Sequence, residues 1–158
     1  MEGFGWRIMS WFQNSEIASS GNALLAMTAK ETILAFVEKI NRHDLQGIVS
    51  LMTENHIFID SGGNKVQGRE KMLKAWQGYF QMMPDYHIQV EKIFRNQEEV
   101  VLLGTAKGTY ATGGKLLKEN QWEIPAAWRA KVKNGLVKEW QVYADNSVVV
   151  KIMEGNRN

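Results

Sequence analysis

The sequence predicts an α+β domain, with helices first and an antiparallel sheet packed against them on one face. Two observations carry that reading. Residues 28–83 place apolar side chains mostly at helical spacing, with one short alternating stretch between. From Tyr86 onward the pattern changes to long alternating runs punctuated by Asn96, Gly113-Gly114 and Asn134-Gly135. Asn134-Gly135 is a strong tight-hairpin signal, because both residues tolerate positive φ.

The elements follow in order. Thr28-Ala29-Lys30-Glu31 reads as a capping box opening a helix with Ile33, Leu34, Phe36, Val37 and Ile40 on its apolar side. Asp44 reads as the N-cap of a short helix carrying Leu45, Ile48, Val49 and Met52. His56 to Asp60 alternates as a half-buried strand and runs into the turn Ser61-Gly62-Gly63-Asn64. Gly68-Arg69-Glu70 opens a third helix with Met72, Leu73, Trp76, Tyr79, Phe80 and Met83, and Pro84-Asp85 ends it. Strands are then expected over 86–94, 100–111, 116–133 and 136–150, leaving 151–158 as a flexible tail.

Residues 1–27 stand apart as an N-terminal extension, helical or loosely docked. Phe4, Trp6, Ile8, Met9, Trp11 and Phe12 crowd it, yet Asn14 and Glu16 interrupt the apolar run a secretory signal needs. No stretch approaches the roughly 20 apolar residues of a membrane span, and a membrane partner is not expected.

Composition removes several function classes. At 158 residues the chain suits one domain with a full core, and it has no cysteine for disulfides, thiolate metal sites or nucleophiles. Nineteen basic against seventeen acidic residues is too balanced to argue for nucleic acid. His43, His56 and His87 lack metal-ligand spacing, and there is no glycine-rich phosphate loop or nucleophile elbow. Neither metal nor organic cofactor is implied. The compartment is left open by the missing cysteines, and a cytoplasmic location is the expectation.

Asp60 is the leading candidate for chemistry. Alternation puts His56, Phe58 and Asp60 on one face, with Ile57 and Ile59 on the other. A carboxylate sharing a face with an aromatic is how a general base is built, since apolar surroundings raise its pKa towards working pH. The alternative is that Asp60 caps the following turn. His56 could partner Asp60 along the same face, at roughly 7 Å along the backbone, or be a partly buried strand histidine. On the last strand, Tyr143 and Asp145 are further candidates, against the reading of Asp145-Asn146-Ser147 as a strand-end turn.

Strand 116–133 has the cleanest pattern. Trp122, Ile124, Ala126, Trp128, Ala130 and Val132 share one face, and Arg129, Lys131 and Lys133 lie on the other, solvated one. Small residues between large ones suggest a concave face with room on it, unless helix side chains such as Trp76 fill the space. Phe58, Trp76, Tyr79, Trp122, Trp128 and Trp140 are therefore the expected lining for a mostly apolar ligand.

Three pieces together resemble one superfamily: Asn41-Arg42-His43-Asp44-Leu45 with its helix, Asp60 followed by Gly68-Arg69-Glu70, and Gly135-Leu136-Val137-Lys138-Glu139-Trp140-Gln141-Val142-Tyr143-Ala144-Asp145. The chain resembles the nuclear transport factor 2-like superfamily, specifically its SnoaL-like, polyketide cyclase-like branch, over about residues 28 to 150. The resemblance implies a cone-shaped α+β barrel with a deep pocket, and homodimers that pair through the outer sheet face. Ketosteroid isomerases carry their proton-shuttling carboxylate at the place of Asp60. Their oxyanion-hole tyrosine would fall at Phe36 and their second donor at Ala126 or Ala127, none of which can donate. Losing such donors costs about 10²–10³ in rate each, so steroid isomerisation by that route is not expected. The final-strand acid of limonene epoxide hydrolases would fall at Val142, and that of SnoaL-type cyclases at Gln141.

The expectation is a protein that binds a hydrophobic small molecule in an aromatic-lined pocket. It acts either as an acid/base isomerase or cyclase through Asp60, or as a non-catalytic ligand-binding or dimeric interaction module.

Overall fold

The computed structural model describes residues 27–157. Helix α1 (Ala29–Asn41) opens with the full capping box, Glu31 N donating to Thr28 Oγ1 at 3.2 Å and Thr28 N donating to Glu31 Oε2 at 2.9 Å. Its buried stripe is Ile33, Phe36, Val37 and Ile40. Asp44 caps α2 (Leu45–Ser50) by accepting from Gly47 N at 2.8 Å. Met52, expected on that helix, instead starts strand β1 (Met52–Ile59). A short strand β2 (Lys65–Gln67), helix α3 (Arg69–Met82) and strands β3 (His87–Asn96), β4 (Glu99–Thr112), β5 (Lys115–Lys133) and β6 (Leu136–Ala144) follow. The chain then enters helix α4 (Ser147–Gly155).

The six strands form one curved sheet in the order β2-β1-β6-β5-β4-β3. All neighbours are antiparallel except β1 and β6. Helix α1 packs across β3 to β6, and α3 lies over β1, β2 and β4, so the sheet wraps the helices as a cone-shaped α+β barrel. None of the described helices is long and apolar enough to cross a membrane.

One corner sets where the sheet begins. The Asn41 side chain donates to Ile88 O at 2.9 Å and accepts from Ile88 N at 2.8 Å, standing in for a neighbouring strand. His43, at φ 53, bonds through Nε2 to the Tyr86 carbonyl at 2.9 Å and stacks on Phe80. The Asn41-to-Asp44 segment thus clamps the start of β3 while capping α2. At the far end of the sheet Asn134 and Gly135 turn with φ 51 and 72, the paired positive values expected of a tight hairpin.

The last strand departs from the sequence reading. Val148, Val149 and Val150 are β-branched and were expected to continue it, but the chain turns at Asp145-Asn146 and these residues are helical. Val149 is buried, with Ile152 and Met153 packed beside it at helical spacing, so tertiary burial overrides local propensity. The tail expected from residue 151 is therefore helix as far as Gly155. The outer face of β5 carries the solvated row as expected. Arg129 pairs with Glu99 and Glu139, and Lys131 Nζ lies 3.3 Å from Glu139.

Candidate functional site

The chamber exists because small residues fall in register across three strands. Gly104 on β4 pairs with Ala126 on β5, which pairs with Ala144 on β6. Gly104 itself does not line the space; Ala106, Ala126 and Ala144 do, around a cavity of ≈ 300 Å³. Of the two β5 alanines expected to leave room, Ala126 lines it, whereas Ala130 is fully buried away from it.

Aromatic rings close the chamber. Phe58 on β1 lies beside Trp140 on the parallel strand β6. Helix α3 contributes Trp76 and Tyr79, one turn apart, and β5 contributes Trp122. Tyr86 joins them because Asp85 is pinned to β4, accepting from Thr109 N and Oγ1, both at 2.6 Å. Tyr79 and Tyr86 meet edge to face at 5.0 Å, and Trp122 Nε1 donates to Met83 Sδ at 3.4 Å. The Trp76 indole N–H is buried without a protein acceptor among the described residues. Burial raises the Tyr79 hydroxyl far above its usual range, and burial followed by the neighbouring Tyr79 does the same to Tyr86. Both phenols stay protonated at any physiological pH.

Asp60, Ser61 and Asn146 form the polar part of the lining, at the rim. Asn146 Nδ2 donates to Ser61 Oγ at 2.8 Å, tying the turn after β1 to the start of α4. Asp60 Oδ1 accepts from Gly62 N and Asn64 N, both at 2.9 Å, while Asn64 Nδ2 donates to Oδ2 at 2.9 Å. Partial burial pushes its carboxyl up, but the Asn64 side chain and the turn N–H groups outweigh it, and the pKa lies below the usual carboxylate value. The expected upward shift is thus reversed: Asp60 faces the chamber and also caps its turn, so it is held ionised.

The other predicted catalytic residues lie elsewhere. His56 is fully buried against Phe36, its ring bonding through Nδ1 to the Val137 carbonyl at 2.8 Å. A carbonyl only accepts, so Nδ1 carries the proton, and burial lowers the pKa and keeps the ring neutral. It does not partner Asp60. Four residues of strand span about 13 Å, farther than expected, and Asp60 takes all its bonds from its own turn. Tyr143 is half exposed on the outer face, because the alternate residues Trp140, Val142 and Ala144 are the ones on β6 that line the chamber. Asp145 is exposed and accepts from Ser147 N at 2.9 Å, as the turn reading expected. Neither reaches the cavity.

Among the expected lining residues, Phe58, Trp76, Tyr79, Trp122 and Trp140 surround the chamber. Trp128 does not: it is fully buried and stacked on Trp140 at 6.4 Å, as core. Sequence reasoning missed Tyr86, Asn146 and Ser61. Tyr86 was findable, since it precedes Ile88 with inward alternation and follows a turn that fixes it. Among the described residues no cluster of His, Asp and Glu could hold a metal ion.

The family model for the SnoaL-like domain matches residues 33–140. The chain belongs to the SnoaL-like domain family. That places it in the nuclear transport factor 2-like superfamily, in agreement with the cone-shaped barrel. No curated protein matches it by sequence. Solved structures agree on the fold. A protein assigned as a SnoaL-like polyketide cyclase from Shewanella denitrificans OS-217 superposes with TM-score 0.69 at 16% identity, covering 80% of this chain and 97% of that one. A protein with a ketosteroid isomerase-like fold from Catenulispora acidiphila DSM 44928, in complex with trimethylamine, gives 0.67 at 16% identity over 77% and 90%. An LEH-like epoxide hydrolase from M. tuberculosis gives 0.66 at 12% identity over 81% and 90%. Identities this low speak for the shared SnoaL-like fold alone, which carries varied chemistry.

Proposed function

We propose that this SnoaL-like chain is a small-molecule binder whose chamber takes a largely apolar, ring-bearing ligand. The aromatic lining carries the reading: rings from β1, α3, β5, β6 and the turn before β3 converge on one cavity of ≈ 300 Å³. The Trp76 N–H supplies a donor that a ligand acceptor would satisfy. Asp60, held charged by its turn, fixes orientation rather than taking protons. The complex of the Catenulispora acidiphila protein with trimethylamine supports the idea that this fold admits small organic molecules. Thermal-shift measurements across a panel of cyclic hydrophobic compounds test it. A ligand present at 100 times its Kd stabilises by about 2.7 kcal/mol, and a panel without one shift would end the proposal.

The second reading is an isomerase or cyclase in which Asp60 accepts a proton and Tyr79 and Tyr86 donate to the developing oxyanion. The protonated phenols in the lining favour it. A carboxylate pKa depressed by turn donors opposes it, since a base works best near the operating pH. Following Asp60 by NMR through a pH titration separates the two: a pKa shifted up in the ligand complex would favour the enzyme.

The partner reading is a homodimer through the outer sheet face. Leu103, Ala127 and Tyr143 align across β4, β5 and β6, and Phe94, 55% exposed on β3, stands opposite Val101, two residues from Leu103. Sedimentation tests this, with Leu103→Glu expected to shift the assembly to monomer.

A further inference from the structure

We infer that the chamber selects an organic cation, with a substituted ammonium lying between the aromatic rings and the Asp60 carboxylate. This rests on the binding reading above and names the ligand class for the same site.

The charge balance of the lining is the first observation. Among the described residues that line the chamber, only Asp60 carries a charge at neutral pH. No Lys, Arg or His among the described residues forms an ion pair with it. A negative charge with no ion-pair partner among the described residues therefore stands at the edge of an apolar space. The turn donors stabilise the carboxylate without neutralising it, and Oδ2 accepts from Asn64 Nδ2 alone.

The rings supply the second observation. Phe58 precedes Asp60 by two residues on the same strand face, and Trp140 sits beside Phe58 in the parallel register. Trp76, Tyr79, Tyr86 and Trp122 complete the enclosure. Ring faces are negative, so they attract a cation that has left water, and Trp does so best. An aromatic enclosure ending in a carboxylate complements a positively charged head on an apolar body. It disfavours a carboxylate or phosphate, which would face Asp60 with no cation among the described lining residues to balance it.

The experiment compares two isosteric probes on the full chain: phenyltrimethylammonium and tert-butylbenzene, with binding followed by tryptophan fluorescence. The expected result is a preference of about tenfold or more for the cation. In Asp60→Asn that preference should fall several-fold, to the part the rings alone supply. The amide oxygen can still accept from Gly62 and Asn64. On the unmodified chain, added salt should weaken the cation's binding and leave the neutral probe unchanged. Equal or tighter binding of the neutral probe overturns the inference and leaves the binding proposal standing. A preference undiminished by Asp60→Asn, or one that ignores salt, also overturns it. Binding of neither probe removes this inference and counts against the general one.

Discussion

Ala126→Leu tests whether the chamber is hollow for the reason given, small residues in register across β4, β5 and β6. Leucine adds three carbons pointing into the cavity of ≈ 300 Å³, a fraction of its volume. Burying them contributes about 2.4 kcal/mol at about 0.8 kcal/mol per methylene. Freezing the leucine rotamers costs about 0.5–1 kcal/mol. The net is a gain of about 1–2 kcal/mol, within the range seen for cavity filling. For a domain of this size that raises Tm by about 2–8 °C. Urea and thermal unfolding measure it, and ligands of the wild-type chamber should bind the variant more weakly. Over-packed cores instead lose about 1–3 kcal/mol. A loss of that size would mean that Ala126 faces packed atoms, and the account of the chamber would be wrong.

Other expectations follow from the supports of the site. Gly104→Ala should destabilise by about 2 kcal/mol or more, because a Cβ there would run into the Gln89 carbonyl oxygen beside the β3 bulge. Urea denaturation reads the loss. Asn41→Ala strips both partners from the buried Ile88 backbone and should cost about 2–4 kcal/mol, with faster amide exchange at the start of β3. His56 has a pKa lowered by burial, so its contribution to stability is fully present above its usual 6.5 and is lost as pH falls from there towards the folded-state value. Unfolding free energy measured at about pH 7.5 and about pH 5.5 should drop, and His56→Gln should flatten that slope.

Most of the fold was legible because its signals are local and strong. The capping box, the Asp44 cap and the Asn134-Gly135 hairpin each act within a few residues, and each stands where the chain's chemistry put it. The three misplacements share a different cause. Strand β2 is three residues long, with only Val66 apolar, too short for a period to show. Met52 fits a helical stripe but belongs to a strand fixed by pairing with Val137, far off in sequence. The valines of α4 carry strand propensity that packing of Val149 overrules. In each case long-range contacts decided, and a window of neighbours does not contain them.

The site was half legible, for a geometric reason. Alternation tells which face a side chain takes but not how far along the strand it lies. Trp122 and Trp128 share a face of β5, yet six residues separate them by about 20 Å. The chamber reaches only the Trp122 end. The same error misplaced His56, whose face was read correctly and whose depth was not. Asp60 is the subtler case, because the general-base and turn-cap readings were treated as competitors. The structure gives the carboxylate both positions at once: it lines the cavity and it caps Ser61-Gly62-Gly63-Asn64. The cap then decides the chemistry. Donors that hold the turn also hold the carboxylate ionised, so the motif that brings an acid to the rim weakens it as a base and preserves it as a charge. A glycine-rich turn after a strand-end acid is visible in any sequence, and here it argues for electrostatic recognition ahead of proton transfer.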